Sequence, residues 1–222
     1  MDQMPLLAVI FYSIPESVLL FSFGLTIVGE YINFKRVLVA AVISAFSSMF
    51  IRANVPFGIH SIIGVFIIFI LSWKLLKINP WKALISSLIS VNAFILLDTI
   101  IMPIILTEQN LTIGELWKDN LKRIIYFYPS LTIYGLTTWF LYSKKIYLIK
   151  GVRVSSDTKY SNARYLVTLT ILLQGIFLAA INEHLFFQGN YSLFIKSLYI
   201  IFLISSIFFL KKLYGGDDQK KA

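Results

Sequence analysis

The chain has no cysteine, which removes disulfides, thiolate metal sites and cysteine nucleophiles together. Only two histidines are present, His60 and His184, too few for a histidine-based metal cluster, so neither a metal nor another cofactor is expected. Charge is scarce: Asp, Glu, Lys and Arg make up 14% of the residues, against 58% hydrophobic. The sequence holds no Gly-rich phosphate loop, no H-E-x-x-H and no G-x-S-x-G. Its intramembrane carboxylates have no motif around them, and enzymatic activity is not expected. No internal repeat of about 20 to 50 residues is visible, and the apolar segments do not divide into two matching halves.

What fills the chain is hydrocarbon. Seven apolar stretches, at 6–28, 37–54, 57–76, 83–106, 124–143, 165–185 and 191–210, each approach the ~20 residues that span a bilayer as helix. With a mean hydropathy of +0.79, the composition is far from that of a soluble domain. The expected fold is all-α, a polytopic transmembrane bundle of about seven spans in the cell membrane. A single helical domain would cover residues 1–214, with a polar tail at 215–222. The first stretch lacks a basic n-region and exceeds a typical signal-peptide core, so it is expected to remain as a span. The second is the weakest, since its apolar core from Val37 to Ile51 is short.

The basic residues fall on alternate connections. Lys35 and Arg36; Lys74, Lys77 and Lys82; Lys144, Lys145, Lys150, Arg153, Lys159 and Arg164; and Lys211, Lys212, Lys220 and Lys221 together are 15 of the 20. Because basic flanks are retained in the cytoplasm, this pattern predicts the N-terminus outside and the C-terminus inside. The net charge of +9 is then a cytoplasmic-surface feature, and its expected partner is anionic lipid, not nucleic acid.

Punctuation supports this division. Pro56 breaks the chain between the second and third stretches and requires a tight hairpin. Asn79-Pro80-Trp81 starts the fourth helix at headgroup level. Thr112 and Glu115 form a capping box for a short amphipathic helix carrying Ile113, Leu116, Trp117 and Leu121, either a cover for the bundle or a lid over an outward cavity. Residues around Lys150-Gly151 allow a small cytoplasmic hairpin.

An ionisable residue inside a span normally faces the protein interior and has a partner. Glu16 follows Pro15 about 15 Å into the first helix. It reads either as a carboxyl group hydrogen-bonded to a neighbouring helix or as a ligand- or cation-recognising group. Asp98 lies late in the fourth helix, beyond Asn92 and before Pro103. Arg52, His60, Lys196, Glu183 and His184 belong to outer helix ends, for which interfacial roles are the plainer account. Glu16 pairing with Arg52, and Asp98 with Arg52 or His60, are both open. The polar groups thus gather from mid-depth outward, which makes Glu16, Arg52, His60 and Asp98 the candidate ligand-binding residues. Phe11, Tyr12, Phe21, Phe23, Tyr126, Tyr128, Tyr134 and Trp139 surround them as core or lipid-facing aromatics.

Pro15-Glu16-Ser17, Arg52 followed by Val55-Pro56-Phe57-Gly58-Ile59-His60, the turn Ile78-Asn79-Pro80-Trp81-Lys82-Ala83 and the late Asp98 resemble the N-terminal multi-pass membrane sensor region of Firmicute histidine kinases related to peptide-autoinducer receptors. The likeness covers about residues 5–145. It implies an outward-facing sensor for a small molecule or peptide, with Glu16, Arg52 and His60 as the positions carried over. Such kinases continue into a phosphoacceptor-helix domain and an ATP-binding domain, which have no counterpart in these 222 residues. The resemblance therefore implies a detached sensor acting on a cytoplasmic signalling partner, as a single chain or a homo-oligomer, or part of a longer receptor. A substrate-binding transporter subunit and a ligand-free structural or assembly protein are the rival expectations.

Overall fold

The computed structural model describes residues 5–55, 59–109, 111, 116 and 120–147. The stretches at 165–185 and 191–210, most of the expected surface helix at 112–121, the hairpin around Lys150-Gly151, the polar tail, and Glu183, His184 and Lys196 lie outside them. All regular structure among the described residues is helical, without a strand. We number the helices α1 (Leu6–Ile27), α2 (Phe34–Asn54), α3 (Ile59–Lys74), α4 (Pro80–Glu108) and α5 (Asn120–Ser143).

Three of them, α1, α2 and α4, are long and apolar enough to cross a membrane. The second apolar stretch thus gains a full-length helix of 21 residues, because Phe34, Lys35 and Arg36 extend it at its basic end. At ~1.5 Å per residue, the 29 residues of α4 exceed the ~30 Å hydrocarbon layer, and the 16 of α3 fall short of it.

The helix ends follow local chemistry. Asn33 caps α2 by accepting from the Arg36 amide, and Asn79 caps α4 by accepting from the Trp81 amide at 3.0 Å, with Pro80 in the first turn where a missing N–H costs nothing. Gly29 ends α1 at φ 68°. The Glu30 amide then reaches the Leu25 carbonyl and the Gly29 amide that of Thr26, the paired closure that a left-handed residue permits.

Register shows how the helices run. Along α1 and α4 the partners are Glu30 with Lys82, Gly24 with Ser86 and Leu20 with Ser90, so the two are antiparallel. Asp98 with Ser130, Phe94 with Tyr134 and Ser90 with Tyr134 make α4 and α5 antiparallel as well. The pairs Tyr12 with Phe127 and Phe23 with Tyr134 leave α1 and α5 parallel. Helix α1 packs on α2, α4 and α5, while α3 packs on α2 and α4. Tyr147 lies against Gly29, and Glu30 meets Lys82, so the connections after α1 and before α4 share one end with the residues after α5.

Burial is arranged for hydrocarbon. Phe21, Phe23, Leu25, Ile85, Ile89 and Tyr134 are buried, but so are Ser13, Ser17, Ser44, Ser86, Ser87, Ser90, Asn92 and Ser130. Large apolar groups point outward, among them Phe46 and Phe50 of α2, Phe66 of α3, and Leu136 and Trp139 of α5. Apolar patches of this extent are rare on a water-facing monomer. Against lipid there is no gain from burying Leu or Phe between helices, and small residues that allow close approach take the contacts instead. The inward face of α2 shows this, consisting of Val37, Ala40, Ala41, Ser44 and Ala45. Hydroxyls that would otherwise lack partners in hydrocarbon bond back along their own helices, as Thr26 to the Ser22 carbonyl and Thr138 to that of Tyr134.

Candidate functional site

The site begins at a defect in α1. Its turn at Val9–Ser13 is a π-helix, ending two residues before Pro15. In α-helical register the Phe11 carbonyl would receive the amide of residue 15, which proline lacks. The Tyr128 hydroxyl of α5 donates to that carbonyl at 3.0 Å. Glu16 follows in the first turn of the resumed α-helix, partly buried.

Asp98 is half-buried on α4, and its Oδ1 accepts from the Ser130 hydroxyl of α5 at 3.0 Å. It interacts electrostatically with both Glu16 and Arg52. The Asp98 carboxylate on α4 thus feels the charge of one candidate from α1 and of another from α2. Arg52 comes from the last turn of α2, where a cation complements the helix dipole. His60 stands in the first turn of α3, partly buried, just across the α2–α3 connection from Arg52.

Deeper in the bundle a hydroxyl chain ties the same helices together. Ser90 donates to the Leu20 carbonyl at 2.6 Å and lies 3.0 Å from the Tyr134 hydroxyl, which donates to the Ser90 carbonyl at 3.0 Å. Tyr134 is held between Phe23, at 4.7 Å between ring centroids, and the edge of Phe94, at 5.4 Å. Tyr12 and Phe127, with centroids 5.0 Å apart, join α1 and α5 about one turn before Glu16.

Ser90, Ser130 and Tyr134 are polar members of this assembly that charge alone does not reveal. The available signal is spacing. Ser90, Phe94 and Asp98 recur every fourth residue on α4, as Tyr126, Ser130, Tyr134 and Thr138 do on α5, and each set therefore shares one face. Of the aromatics around the site, Tyr12, Phe21, Phe23 and Tyr134 are core, whereas Phe11, Tyr128 and Trp139 are exposed.

Chemically these residues offer two carboxyls and one guanidinium, with the Ser130 hydroxyl bonded to one of the carboxyls. That set suits recognition of a polar group carried on an apolar body. Among the described residues, no three His, Asp or Glu side chains converge to hold a metal ion. No protein-family model, curated protein or solved structure matches the chain.

Proposed function

We propose that the chain is a sensor- or receptor-like membrane protein of seven spans, with its N-terminus outside and its C-terminus inside. It binds a small molecule or peptide from the outer side and passes the event to a cytoplasmic partner. The observation that supports this reading is that Asp98 of α4 feels the charges of Glu16 from α1 and Arg52 from α2. A charged group within a membrane is costly to maintain and marks function by default.

Two further features support it. The group belongs to the half of the bundle remote from Glu30, Lys82 and Tyr147, where Lys35, Arg36, Lys74, Lys77, Lys144 and Lys145 collect. Lys74 also lies 3.7 Å from the Trp73 ring centre, an arrangement suited to the headgroup layer. The basic segment at 144–164 is the proposed readout surface. The reading agrees with the resemblance of the Pro15 to Ser17 and Arg52 to His60 segments to kinase sensor regions.

Native mass spectrometry of the detergent-extracted full chain tests the site. The expected result is a retained non-lipid mass that is lost in both Glu16→Gln and Arg52→Ala. Retention of the same mass by both variants removes these residues from the binding site, and their equal thermal stability with and without that compound removes the receptor reading.

A further inference from the structure

Both α1 and α5 carry a proline within the helix, Pro15 and Pro129, and the pairs Tyr12 with Phe127 and Leu19 with Gly135 bracket the two at about the same height in the bundle. Each proline deletes a backbone hydrogen bond and crowds the carbonyl four residues earlier, so each is a point of easy bending. In α1 the weakness is widened by the adjoining π-turn. On the far side of this level the two helices are tightly held, with Phe23 packed on Tyr134 in a tilted ring pair and Gly135 against Leu19. On the near side Leu7 and Phe11 of α1 face outward, 63% and 52% exposed, while Ala8, Val9 and Tyr12 are buried against the bundle.

We propose that the outer ends of α1 and α5 pivot about the level of Pro15 and Pro129, and that the Tyr128 hydroxyl is the clasp that keeps them moving together. Glu16 and Ser130 each directly follow one of the prolines. The pivot level therefore borders both Glu16 and Ser130, which holds Asp98 from α5. The hinge follows from the helices alone and stands independently of any ligand at the site.

The cysteine-free chain permits paired spin labels without background. One pair, Leu7→Cys with Phe50→Cys, reports the outer ends of α1 and α2; a second, Tyr31→Cys with Lys144→Cys, reports the opposite end of the bundle. A rotation of about 10° over the ~12 Å between Pro15 and Leu7 displaces that end by about 2 Å. In the full chain in lipid nanodiscs, Tyr128→Phe is expected to broaden or shift the first distance distribution by about that amount and leave the second unchanged. Adding Pro15→Ala to Tyr128→Phe, which restores the missing amide, is expected to narrow it again. An unchanged first distribution overturns the clasp, equal broadening of both pairs shows general loosening in place of a hinge, and failure of Pro15→Ala to narrow the distribution overturns the proline pivot.

Discussion

The Ser130 hydroxyl donates to Asp98 Oδ1 across 3.0 Å, joining α5 to α4 at the carboxylate that also interacts with Glu16 and Arg52. This bond makes α5 part of a site whose other charged members come from α1, α2 and α4. Interhelical hydrogen bonds in membranes contribute about 0.6 to 1.7 kcal/mol. Ser130→Ala is therefore expected to lower the unfolding free energy in detergent by about 1 kcal/mol, while Ser130→Thr, which keeps the hydroxyl, stays closer to wild type. Loss of the same size in both variants would show that packing, and not the bond, is what matters there.

At Gly24, α1 comes close to α4. A Cβ at this position would run into the Ser86 hydroxyl and lie 3.2 Å from the Ser86 carbonyl. Overpacking at such a contact costs about 1 to 3 kcal/mol, so Gly24→Ala should lower the thermal midpoint of the purified chain. Ser86→Gly in the same background should recover part of the loss by removing the side-chain clash. A Gly24→Ala protein as stable as wild type would mean that the helices separate without penalty.

Glu30 and Lys82 meet at 2.6 Å, tying the turn after α1 to the first turn of α4. Their side chains are 36% and 19% exposed respectively, so water screens the attraction, and the coupling is expected at about 0.2 to 1 kcal/mol. A double-mutant cycle with Glu30→Gln and Lys82→Met measures it. The coupling should shrink with added salt, and the exchanged pair Glu30→Lys with Lys82→Glu should recover most of it. A coupling indistinguishable from zero at low salt would leave the turn anchored by the Gly29 closure alone.

Orientation is open to direct chemistry because the chain lacks cysteine. With a membrane-impermeant maleimide on intact cells, Gln109→Cys should label at once. Tyr31→Cys and Lys144→Cys should label only after permeabilisation. The reverse pattern overturns the proposed outward N-terminus, and labelling of positions 31 and 144 from opposite sides overturns the alternation of the helices.

Much of the architecture is legible in order along the chain. Apolar length marked α1 to α5 within a few residues of their ends, since a helix in lipid must satisfy its own backbone over the whole span. Pro80 and Asn79 announced the start of α4 through capping chemistry that acts over three residues. Glu16, Arg52 and Asp98 stood out because charge in an apolar run is conspicuous. Ser130 and Ser90 did not, and Tyr134 stood out only as an aromatic, because a hydroxyl can bond within its own helix, and a single sequence does not show which ones reach across.

The sequence by itself determined that this is a helical chain with segments long and apolar enough to cross a membrane, with charge segregated along it and few polar groups inside those segments. These are local properties, settled by hydropathy, helix period and turn residues. Only the tertiary structure decided that Asp98 interacts with both Glu16 and Arg52, that Ser130 holds Asp98, and that Tyr128 takes the Phe11 carbonyl which Pro15 cannot serve. Which helix faces which depends on small-residue contacts such as Gly24 against Ser86, and that complementarity exists only between surfaces already brought together.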